Sequence, residues 1–147
     1  MTDYCSEDDL VKIRPGIMDL GVGDWSDQIE EAGSIIDRII EVDWYRAIAE
    51  NNDVDWRTAP FDRELMLNID TQLKRLGCYK TLELAFLFLK KHSVDDAFEN
   101  ERKVFRQMYV DELKQVLASG IDYDWDEDAG IDVGENIIPQ VRRLVRV

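Results

Sequence analysis

Histidine is nearly missing from this 147-residue chain; there is one, His92. A single imidazole leaves little scope for the histidine-rich sites that bind metals or relay protons. It follows Lys90 and Lys91 at an expected helix end, where a cation suits the negative pole of the helix dipole. Cysteine is scarce too. The two residues, Cys5 and Cys78, are far apart in sequence, whereas small secreted domains are usually cysteine-dense. They read as a reduced cytosolic pair, and their spacing leaves open whether they meet. No apolar run is long enough to span a bilayer; the strongest, "LELAFLFLKKH", reads as a buried helix segment. The start, "MTDYCSEDDL", is acidic and polar, unlike a signal peptide. No Gly-rich phosphate loop, Cys/His metal cluster or nucleophile elbow occurs. The expectation is therefore a protein that is not an enzyme, with no cofactor, no metal and no membrane association. Basic residues are also few, 18 against 32 acidic ones, for a net charge of −14. That argues against a surface that grips nucleic acid, because phosphate contacts need Lys and Arg.

What is present is enough apolar material for a core, 45% of residues, arranged with helical spacing. Ser6 and the acids after it predict a short helix that stops before Pro15. Ile29, Ala32, Ile36, Ile39 or Ile40, Trp44 and Ile48 recur every three or four residues, predicting a long helix over about 26–50. Asp24 or Ser26 would cap it. A second helical region is expected over about 62–92, with a break at Gly77. Its later part, Thr81 to Leu89, is apolar nearly all round and should occupy the centre. Asp95 caps a third helix through Phe98, Phe105, Met108/Tyr109, Leu113 and Val116/Leu117, with Gly120 as its stop. The fold class is mainly α: a small helix bundle of three to four main helices with an extended C-terminal arm. Residues 1–120 form the bundle and its lead-in, and residues 121–147 an acidic loop and the arm. Trp25 and Trp44 are expected in the core, while Trp56 and Trp125 lie in polar segments as contact residues or as a cover for the bundle end.

The last segment has the most unusual charge pattern. "GIDYDWDEDAGIDVGE" carries seven acids and no base, and "NIIPQVRRLVRV" then carries three arginines and no acid. From Asp124 the acids fall close to calcium-loop positions, but Ala129 stands where the loop needs glycine and Pro139 interrupts the helix that should follow. A solvated acidic turn is the preferred reading. DNA mimicry is a further alternative, though the basic terminus spoils a uniform decoy surface. In the arm, Val141, Leu144, Val145 and Val147 are too apolar for a free tail, and Arg142, Arg143 and Arg146 call for carboxylates. The arm can fold back, add to a partner's sheet edge, or lie across a neighbouring copy.

These features, in this order, resemble the head–tail connector (adaptor, or head-completion) proteins of tailed bacteriophages. "EDDLVKIRPGIMDLG" resembles their lead-in and "QIEEAGSIIDRII" their first helix. "DDAFENERKVFRQMYVDELKQVLASGIDYDWDEDAG" resembles their long charged helix and acidic loop, and "RRLVRV" their valine-ended basic tail. The resemblance covers nearly the whole length. It implies a non-enzymatic virion protein at the head–tail interface, assembled in the host cytoplasm. It implies a homo-oligomeric ring, usually dodecameric, docked on the portal protein, with a tail-side stopper or tail terminator on its other face. DNA would pass through without sequence recognition. The carry-over of partner-binding residues is confined to the arm: Ile137, Ile138, Val141, Arg142, Arg143, Leu144, Val145, Arg146 and Val147.

Overall fold

A computed structural model describes residues 2–92 and 96–126. The chain is mainly helical, about 70% helix, and the expected bundle is present. Helix α1 spans Glu7–Ile13. Its start is a capping box: the Ser6 hydroxyl accepts from the Asp9 backbone N–H, and the Asp9 carboxylate accepts from the Ser6 N–H at 2.9 Å. It ends ahead of Pro15, as the proline predicts, because Arg14 is already extended (φ −127°, ψ 84°).

The long helix predicted over 26–50 is three segments in one line. Helix α2 spans Ser26–Ile40, a π turn covers Glu41–Tyr45, and α3 spans Arg46–Asn51. The Asp24 carboxylate accepts from the Ser26 N–H at 3.1 Å, so Asp24 serves its first turn. The inward residues Ile36, Ile40, Trp44 and Ile48 are spaced by four. In a regular helix that spacing rotates the stripe by about 40° per step. A wider turn at 41–45, where the Arg46 N–H reaches back to the Glu41 carbonyl, offsets part of that drift and lets neighbouring Trp44 and Tyr45 both be buried.

The second region differs from expectation. A single 3₁₀ turn, Arg63–Leu65, and a short α4, Ile69–Gln72, precede the central helix α5, Lys74–Lys91. The helix does not break at Gly77; the interruption is at Leu73 (φ −123°, ψ −10°). Gly77 is there for close approach instead. A Cβ at that position would stand 2.5 Å from the Tyr4 Cβ, because the lead-in crosses α5 at this point. The apolar stretch from Thr81 to Leu89 does lie centrally, between α6 (Asp96–Ser119) on one side and α2 on another. Helix α6 stops at Gly120, whose φ of +82° is the left-handed stop the sequence predicts. Its expected cap, Asp95, lies outside the described residues.

The core has two halves. One gathers Cys5, Leu10, Ile17, Trp25, Cys78, Leu82, Phe86 and Phe105 around the upper turns of α5. The other gathers Ile36, Ile40, Trp44, Tyr45, Ile48, Leu73, Leu76 and Tyr109 with Ile121 and Tyr123. Neighbours in the lead-in, Tyr4 and Cys5, enter different halves.

Candidate interaction surface

The predicted arm residues Ile137, Ile138, Val141, Arg142, Arg143, Leu144, Val145, Arg146 and Val147 lie outside the described residues, as do Asp128, Ala129, Asp132, Glu135 and Pro139. What the structure does define is the ground from which that segment departs. After Gly120 the chain pairs with the loop before α4. Tyr123 and Met66 form an antiparallel bridge: the Leu67 N–H donates to the Asp122 carbonyl at 3.0 Å, and the Asp124 N–H to the Leu65 carbonyl at 2.8 Å. The Asp122 N–H donates to Gln72 Oε1 at 2.9 Å, and its carboxylate accepts from Asn68 Nδ2.

These bonds hold an aromatic cluster. Trp125 stacks on Tyr45 with centroids 5.2 Å apart and planes 13° from parallel. Tyr123 meets Tyr45 edge-on at 5.5 Å, stacks near Phe61 at 5.7 Å and touches Trp125 at 4.7 Å. Trp44 contacts Trp125 at 5.9 Å. The hydroxyls are used as well: Tyr45 donates to the Ala59 carbonyl, and Tyr123 accepts from the Asp62 N–H at 3.1 Å. Burial raises the Tyr123 phenol far above the usual tyrosine range, and burial likewise raises Tyr45.

The solvated acidic turn is therefore corrected for its first part. Ile121 and Tyr123 are core residues, and Asp124 is buried. Ile121, Tyr123 and Trp125 recur at period two and turn to the core, while Asp124 between them is buried as well, its backbone N–H held by the Leu65 carbonyl. Of the calcium-loop positions, only Asp124 and Asp126 are among the described residues, while Asp128, Asp132 and Glu135 lie outside them; no group of three metal-ligating side chains occurs among the described residues.

Trp25 and Trp44 are in the core as expected. Both loop tryptophans pack, partly buried, against the Trp44 half of the core. Trp125 joins the cluster above, and Trp56 lies under two guanidinium groups, Arg46 at 4.3 Å and Arg57 at 4.4 Å. His92 stands at the C-cap of α5, against the Phe88 ring at 4.5 Å, the dipole position read for it.

Of two polar networks, the first had no sequence signal, since it joins residues remote in the chain, while the second is local at Lys80 and Glu83, three residues apart, and remote only at Arg106. In the first, Arg63 is almost fully buried, with its NH2 2.6 Å from Asp37 Oδ2 and its NH1 donating to the Thr2 carbonyl at 2.8 Å. Its guanidinium covers the Tyr4 ring at 4.4 Å, and the Tyr4 hydroxyl donates to Asp37. Gly33 makes room for it, since a Cβ there would stand 2.7 Å from Arg63 NH2. Burial, then the Asp37 hydrogen bond, drives the Tyr4 phenol far up. In the second, Lys80 and Glu83 pair at 2.9 Å inside the bundle, and Glu83 also accepts from Arg106 at 3.2 Å. Lys80 lies 4.7 Å from the Tyr109 centroid. Burial pushes Tyr109 up to about 12.

Both networks fasten the bundle, and neither presents a nucleophile beside a base. Comparison with protein-family models, with curated proteins and with solved structures finds no match for this chain.

Proposed function

We propose that this protein is a structural adaptor of a tailed-phage virion, forming a ring between the portal protein and the tail-side proteins. One observation carries the reading furthest. An acidic body completes two aromatic and aliphatic core halves with residues up to Trp125, and the basic, apolar segment 137–147 follows that body in sequence. A body and a terminus of opposite charge supply the two unlike surfaces that a head-to-tail ring requires. The resemblance of the lead-in, first helix, charged helix and tail to connector proteins supports the same assignment. Excess carboxylate on the body also suits a conduit for DNA, because negative walls do not retain phosphate.

The DNA-mimic reading is less well supported. Several carboxylates are engaged by cations of this chain: Asp9 and Asp70 by Lys74, Glu99 by Lys90 and Arg102, and Glu101 by Arg14 at 2.8 Å.

The test is a deletion of residues 137–147, assayed for binding to the portal protein of the same phage. The adaptor reading predicts an unchanged helical melt and loss of portal binding. Retained portal binding by the truncated chain contradicts the assigned arm, and absence of binding by the full chain contradicts the adaptor role.

A further inference from the structure

Cys5 and Cys78 are separated by most of the bundle in sequence, yet the fold brings them together. The lead-in passes so close to α5 that its Tyr4 backbone leaves no room for a Cβ on Gly77: the Tyr4 carbonyl carbon is 3.2 Å from where it would be. The next residue on each side of this crossing is a cysteine. Cys5 Sγ lies 3.5 Å from Thr81 Oγ1, one helical turn beyond Cys78. Both cysteines are free, both are buried, and both belong to the same half of the core.

We propose that Cys5 and Cys78 are a disulfide-forming pair, closed by a small-molecule disulfide such as oxidised glutathione, that braces the lead-in on the central helix. The chemistry balances as two exchanges. The Cys5 thiolate attacks one sulfur of the oxidant and releases one glutathione thiol. The Cys78 thiolate then attacks Cys5 Sγ of the mixed disulfide and releases the second. The protein loses two thiol hydrogens, and the oxidant's S–S bond is reduced to two thiols. The surroundings favour this order. A hydrogen bond with the Cys78 thiol lowers the Cys5 thiol and favours its thiolate. The same bond, followed by burial, raises Cys78, which keeps its proton until Cys5 has reacted.

The bond would restrain a segment otherwise held by hydrogen bonds: the Thr2 N–H to Glu64 Oε1 at 2.7 Å, Arg63 to the Thr2 carbonyl, and the Tyr4 hydroxyl to Asp37. Closing so long a loop should raise Tm by about 5–10 °C. The inference is independent of the adaptor role.

The experiment treats the full-length folded protein with oxidised glutathione, followed by intact mass, peptide mapping and thermal melts with and without reductant. Expected are loss of two hydrogens, a Cys5–Cys78 cross-linked peptide, and a Tm rise that reductant reverses. Cys5→Ser and Cys78→Ser should each abolish the rise. Persistence of both free thiols in the folded protein would overturn the proposal. So would stable glutathione adducts on either cysteine of the wild-type chain, or cross-links between molecules.

Discussion

The two halves of the core are closed in different ways. The half around Trp25 is sealed by the lead-in and α1, which fold from the N-terminal side onto α5, and Trp25 Nε1 donates to the Ile17 carbonyl at 3.1 Å. The half around Trp44 is sealed from afar, by Ile121, Tyr123 and Trp125 returning from the far end of α6. There the Trp44 indole N–H has no hydrogen-bond partner among the described residues, although the ring is buried. The first half therefore combines packing with satisfied polar groups. The second relies on ring contacts strong enough to offset a stranded donor, whose desolvation costs about 1–3 kcal/mol. It is also the half joined directly in sequence to the charged C-terminal segment.

Tyr123 holds the Trp44 half together, touching Tyr45, Phe61 and Trp125. Tyr123→Ala should cost about 3–5 kcal/mol in a denaturant melt, and should also quench the near-UV signal of the Trp44–Trp125 contact. A cost no larger than that of an exposed substitution would mean that the bridged segment merely rests on the bundle. Gly77→Ala probes the crossing shared by both halves. With 2.5 Å to the Tyr4 Cβ, it should destabilise by about 1–3 kcal/mol despite alanine's better helix propensity. Net stabilisation would show that the lead-in moves aside freely.

A paired measurement sharpens the contrast further. Trp25→Phe removes ring volume and a hydrogen bond, whereas Trp44→Phe removes volume and relieves a stranded donor. Trp25→Phe should therefore be the more damaging, by about 1–2 kcal/mol. Equal losses would erase the proposed difference. The smallest effect concerns acid. Hydrogen bonds from Arg102, and next from Lys90, hold the Glu99 carboxyl at about 2, below its usual 4.5. A lowered carboxyl contributes stability that is present above pH 4.5 and is lost as the pH falls through about 2. Glu99→Gln should flatten the acid limb of a Tm-against-pH curve in that window, modestly because the pair is solvent-facing.

The helical architecture was legible because its signals are local. Apolar spacing, the Ser6 cap, Pro15 and Gly120 each act within a turn or two of themselves. Even the π turn left a trace in the repeated spacing of four from Ile36 to Ile48. Gly77 misled because a helix-breaking glycine and a crossing-point glycine look alike until Tyr4, far away in sequence, is set against it. The bridged segment at 121–125 was obscured by its carboxylates: overall acidity suggested a solvated loop, while Ile121, Tyr123 and Trp125 at period two pack on the core. The Arg63–Asp37–Tyr4 network was illegible for a different reason, since nothing in the neighbourhood of any of the three points to the others. The nine arm residues were singled out by composition, and they lie beyond the described core.

Residues 121–125 are an integral part of the folded body, closing the Trp44 half of its core. Thermal melts of two truncations test this most directly, one chain ending at Asp126 and one at Gly120. The account predicts that the first melts cooperatively within a few degrees of the full chain, and that the second loses cooperativity or falls by tens of degrees. Matching melts for the two truncations, or an unfolded chain ending at Asp126, would contradict it.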